Sequence, residues 1–285
     1  MNLSWQLRFR AILTGLVLAD MIGVLSQSGG APVEQPLEQV AASPLPGWKP
    51  LLIQIGAAIN REVSPDWASL SPQIQLVAEH PIFLSLSALP LLLLNLEGPG
   101  RGESAIAAWG EQQGLPPQTQ AMLLQFFRLL QRGMGIDQPE ITAGTAAKDS
   151  EAQMRLVDLT WLTAAASAPL LAQAIDPVIQ AQGQYDLALR QALAQPDSQP
   201  WLLPLVGVLA AVQGGVASLP LVWRLQILSS PQRQAHLLRH WSIDHERMIW
   251  QLADGLFYRW IGVSPMLPSS GCSVYPVLQI KPRIG

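Results

Sequence analysis

The sequence predicts an all-α protein, and three observations carry that expectation. Ala, Leu, Gln and Arg, which favour helices, dominate the chain. Apolar residues recur at helical spacing in several segments, while period-2 alternation over several residues is nearly absent. Gly- and Pro-rich stretches separate these segments. At 285 residues the chain is long enough to bury a sizeable core. Hydrophobic residues make up 49% and charged residues 13%, with a mean hydropathy of +0.24. Soluble domains usually carry about 25% charged residues, so little of this chain can be a solvated charged face. The expected organisation is one helical domain over residues 1–263, followed by an extended tail with four prolines over 264–285.

The first element is the run RFRAILTGLVLADMIGV, residues 8–24. A secretory leader wants an unbroken apolar run and then small residues at a cleavage site. Here Asp20 interrupts the run and VLSQSGGAP follows Gly23, so a core helix is the better reading. Asp20, near the end of an apolar helix, reads as a capping or backbone-bonding residue. Residues 26–47, rich in Gly, Pro and Gln, form a connection. In the next helix Leu51, Leu52, Ile55 and Ile59 fall on one face.

Pro81–Leu96 and Leu159–Ile175 are oily runs, each broken by a central proline and each short of a bilayer span. Between them lie a tight connection at 97–103, the helix AMLLQFFRLLQRG ending at Gly133, and a longer loop at 133–150. Ser198–Trp223 contains no charge and is long enough to span a bilayer. Pro200, Pro204, Pro220 and the Gln213–Gly214–Gly215 interruption reduce its clean stretch to Leu205–Val212, which suits a core helix. The membrane alternative, a polytopic helical protein, rests on these oily runs.

Charge and cysteine content set further bounds. A net charge of −3 gives no electrostatic case for nucleic acid. The single cysteine, Cys272, cannot form an internal disulfide, so a reducing, cytoplasmic location is expected.

In the opening run, Arg8, Arg10, Leu13, Gly15, Asp20 and Gly23 stand in the register of the N-terminal signature of ADP-ribosylglycohydrolases. That signature is Arg-x-Arg-Gly, an apolar turn and Gly-Asp-Ala-x-Gly; Ala11 and Ala19 replace two of its glycines. A second segment, Val206–Gln226, resembles the late helix of the same family through Gly207, Leu209, Gly215, Leu219, Pro220 and Trp223. The resemblance implies a single compact domain of many helices, with residues 8–25 packed on residues 202–213. It also implies Mg²⁺, because active members hydrolyse ADP-ribosyl bonds with two ions held by an early Thr-Asp-Asp-Thr and a late Asp-x-Asp-Thr cluster. Mg²⁺ takes hard oxygen ligands in octahedral geometry, and paired ions orient water and polarise substrate.

This chain departs from that pattern. Lys49, in LPGWK, stands where the early carboxylates belong. In QPDSQPW, Asp197 and Ser198 correspond to the first acid and its neighbour, while Gln199, Pro200 and Trp201 replace the rest. Under the resemblance Asp197 is therefore the single vestigial metal ligand, while its local context reads first as a turn or N-cap residue. No catalytic or cofactor-binding residue is assigned, and Mg²⁺ is expected only if the chain is an enzyme.

His236, His240 and Asp244 recur at i, i+4 and i+8, with His245 and Glu246 adjacent. Such a face can hold zinc, but a solvated polar face with His–carboxylate pairs, or a docking surface, is the simpler reading. The H-E-x-x-H motif is absent because Leu237 takes the glutamate's place. No G-x-S-x-G elbow occurs, and GPGRGES lacks the phosphate-loop pattern.

Three functions follow as expectations. One is a non-catalytic ADP-ribosylglycohydrolase-like protein that binds a protein partner or an ADP-ribose-like ligand, in a binding, regulatory or assembly role. The second is an active hydrolase with altered ligands, drawn from acids such as Glu62, Asp66 or Asp158. The third is the membrane protein.

Overall fold

Leu3–Gln27 forms one unbroken helix, α1, in the computed structural model of the chain. The structure describes residues 3–27, 47–61, 65–96, 100–136, 169–195, 199, 201–228 and 230–263. Eleven further helices follow among the described residues: α2 (Trp48–Arg61), α3 (Trp67–Ala78), α4 (Pro81–Ser87), α5 (Leu89–Leu94), α6 (Arg101–Gln112) and α7 (Pro117–Gly133). Next come α8 (Pro169–Gln180), α9 (Tyr185–Leu193), α10 (Leu202–Gly214), α11 (Pro231–Trp241) and α12 (Glu246–Trp260). A 3₁₀ turn at Val216–Ser218, a helical turn at Leu221–Trp223 and a π-helical turn at Arg224–Leu228 link α10 to α11. The fold is all-α, with no strand among the described residues.

Helix α10, and α1 over Ala11–Ala19, carry no charge on any side, so each has to be surrounded. Every residue of α10 from Leu202 to Val212 is buried. The two helices pack on each other, as expected from the sequence, and α12, α9 and α8 cover them. Gly15 and Gly207 make this approach possible. A Cβ at Gly207 would lie 2.4 Å from the Ala19 Cβ and 2.7 Å from the Gly15 carbonyl oxygen. Tyr185 from α9 donates its hydroxyl to that same Gly15 oxygen at 2.6 Å, and complete burial pushes its pKa well above the usual value.

By length and composition α1 could cross a membrane over Trp5–Ser26, and 72% of its apolar window is buried inside the protein. Asp20 does not interrupt or cap it. The helix continues for seven residues beyond, because a side chain from α2 meets the carboxylate.

The second layer is amphipathic. Leu51, Leu52, Ile55 and Ile59 of α2 are all buried, as their spacing predicts, and the helix packs on α4, α5 and α12. The oily run at 81–96 divides into α4 and α5 at Ala88, with Pro81 and Pro90 each in a first turn, where a missing N–H costs nothing. Helix α7 stops at Gly133 and packs on α4, α6 and α10.

Asp66, one of the acids considered for an altered metal site, caps α3 instead. Its exposed carboxylate accepts a bond from the Ala68 amide at 3.1 Å. Asp66→Ala is expected to cost about 1 kcal/mol in denaturant unfolding, the usual value of an N-cap. Glu62, Asp158, Cys272, most of the run at 159–175 and the tail at 264–285 lie outside the described residues.

Candidate functional site

Helix α2 opens with a lysine in its first turn, where the unpaired amides already carry partial positive charge. No acid of its own offsets this, and the compensation comes from α1. Lys49 Nζ donates to Asp20 Oδ2 at 2.7 Å, and Trp241 Nε1, at the last residue of α11, donates to the same oxygen at 2.9 Å. Asp20 is 7% exposed. One carboxylate thus joins three helices that are far apart in sequence.

Aromatic rings wall the pair. The Lys49 ammonium lies 5.7 Å from the ring centres of both Trp48 and Trp241, within cation–π range. Those two indoles meet edge to face at 5.3 Å, and Trp48 stacks on Phe83 of α4 at 5.8 Å. Ser87 Oγ donates to the Trp48 carbonyl at 3.0 Å and ties α4 to the start of α2. Exclusion of water by these rings makes the ion pair stronger than a surface pair, and makes losing one partner more costly.

His236 and His240, one turn apart on α11, close the site. Their rings lie 4.2 Å apart. Burial, then His240 and then Lys49, push the His236 pKa down to about 4, so its imidazole is neutral near pH 7. The His240 pKa is lowered too, chiefly by burial and then by Lys49. His236 Nε2 is buried and has no hydrogen-bond partner among the described residues.

The sequence expectation of one continuous polar face at His236, His240 and Asp244 fails. Ser242 adopts a left-handed conformation with φ 55° and ends α11, so Asp244 leaves the helix before the third position. Asp244 is exposed and pairs with His245. Glu246 instead pairs with Arg224 at 2.6 Å. His236 points inward rather than into solvent. Among the described residues, no three His, Cys, Asp or Glu side chains converge to hold a metal ion.

The remaining residues of the opening run have packing roles. Arg10 makes two bonds of 2.7 Å to Asp254 of α12, and Gln6 adds a third at 3.0 Å. Arg10 and Arg224 both lie against the Trp250 ring, at 5.0 and 5.2 Å. Arg8 donates to the Met134 carbonyl at 3.0 Å, and burial lowers its pKa.

Asp197, the vestigial metal ligand of the sequence reading, lies outside the described residues, as do Ser198 and Pro200. Gln199 is exposed, and Trp201 is the half-buried residue that opens α10. The residues that sequence reasoning missed are Trp48 and Trp241. Local spacing carries no signal for Trp241, which lies 221 positions from Asp20. Against known proteins, the chain matches no family model, no curated protein and no solved structure.

Proposed function

We propose that the chain is a non-catalytic relative of the ADP-ribosylglycohydrolases, acting in the cytoplasm in a binding, regulatory or assembly role. The observation that supports this most is the Lys49–Asp20 pair. Where the resemblance requires oxygen ligands for Mg²⁺, the chain places an ammonium with a carboxylate already engaged by it and by Trp241. Mg²⁺ wants several oxygens in octahedral geometry. One carboxylate carrying two donors does not fit that need. The close packing of α1 on α10 supports the same reading, because these helices carry the two segments of the resemblance.

The ligand of such a protein is an ADP-ribose-like molecule or a protein surface. Calorimetry with Mg²⁺ and then with ADP-ribose, together with an assay for ADP-ribose release from arginine- and serine-linked substrates, tests the reading. The expected result is no Mg²⁺-dependent release. Stoichiometric Mg²⁺ binding with turnover would identify an enzyme instead. ADP-ribose binding without metal would identify a sensor, and silence in both titrations would leave a protein-binding role.

A further inference from the structure

We propose that α11 is a proton-released latch: uptake of protons by the adjacent His236 and His240 pair repels the Lys49 ammonium and lifts α11 from α1 and α2. The inference is independent of the family reading. It stands on the geometry of the contact. Helix α11 meets α2, and its last residue, Trp241, bonds to Asp20 of α1. His236 and His240 sit on that helix with rings 4.2 Å apart. The charged groups that face them are Lys49 of α2, Asp20 of α1 and Arg239 of α11 itself. Asp20 already serves Lys49 and Trp241, so an added imidazolium meets two cations and a carboxylate that is shared.

Neutral His236 is compatible with this crowding and charged His236 is not. The packed state holds it neutral down to about pH 4, whereas a released α11 restores the ordinary value of 6.5. Proton binding therefore favours the released state as pH falls below 6.5, and the bias grows until about pH 4. Each pH unit in that window is worth about tenfold, so release at about pH 5 is favoured about thirty-fold over about pH 7.5. His240 acts in the same direction, since its pKa is also lowered. Release uncovers apolar surface, because Leu237 and Trp241 are fully buried in the packed state.

Hydrogen exchange on the full-length protein, corrected for intrinsic rates, tests this. Between about pH 7.5 and about pH 5, α11 amides should lose protection about thirty-fold, while α1 and α10 keep theirs. His236→Gln, which stays neutral, should remove most of that loss. His240→Gln, at the half-exposed partner, should reduce it by relieving His236 of one repulsive neighbour, and it serves if His236→Gln does not fold. Protection in α11 that does not change with pH would overturn the proposal. So would an undiminished loss in the His240→Gln protein, or parallel loss in α1 and α10, which would mean ordinary acid unfolding.

Discussion

Asp20→Asn is expected to lower unfolding free energy by about 3 kcal/mol, at the low end of the range for breaking a buried ion pair. Asparagine has almost the same volume but no charge, so the Lys49 ammonium stays between two indoles without its counter-ion. Lys49 keeps 18% of its side chain exposed, which places the cost at the low end of that range. Lys49→Met should be similarly damaging, because it leaves the Asp20 carboxylate buried with one donor, Trp241. Combining Asp20→Asn with Lys49→Met removes both charges while leaving Trp241 an acceptor, and the double variant should regain most of what either single change loses. Denaturant unfolding with an unchanged slope is the measurement. A double variant as unstable as the sum of the singles would mean that shape, not charge, sets the cost.

Gly207→Ala carries the second large effect, with a sign opposite to the usual one. In an ordinary helix this change stabilises by roughly 0.5–1 kcal/mol, because glycine weakens helix interiors. Here the new methyl would sit 2.4 Å from the Ala19 Cβ and 2.7 Å from the Gly15 oxygen, and neither neighbour is the end of a flexible side chain. The α1–α10 pair has to separate, at a cost of about 2–3 kcal/mol typical of overpacking. Ala19→Gly in the same chain should return part of that loss by removing the first of the two clashes. Thermal melts of the single and double variants give the coupling. Stabilisation by Gly207→Ala alone would show that the helices do not approach this closely.

Much of the fold was legible in the chain, and the candidate site was not. Period and punctuation mark α2, α7 and α10 because burial on one face, or on all faces, leaves a pattern in the residues of the helix itself. Asp20 shows the opposite case. As a charge in an apolar run it reads as a local backbone partner, yet its partners are Lys49 and Trp241, 29 and 221 positions away. His236, His240 and Asp244 share a face only if the helix continues, and Ser242 in a left-handed conformation stops it. Serine in that conformation is uncommon, so the residue gives little warning of it.

Sequence alone determined that this is a helical chain and that the apolar runs within α1 and α10 suit core helices that have to be enclosed. These are consequences of side-chain volume and polarity along a helix, and each helix carries its own record of them. Tertiary structure alone decided which charges meet. A helical face states how much it buries, not what it buries against. The Asp20–Lys49–Trp241 contact and the inward-facing, neutral His236 exist only once α1, α2 and α11 are packed, because desolvation and Coulomb energy depend on distances in space rather than along the chain.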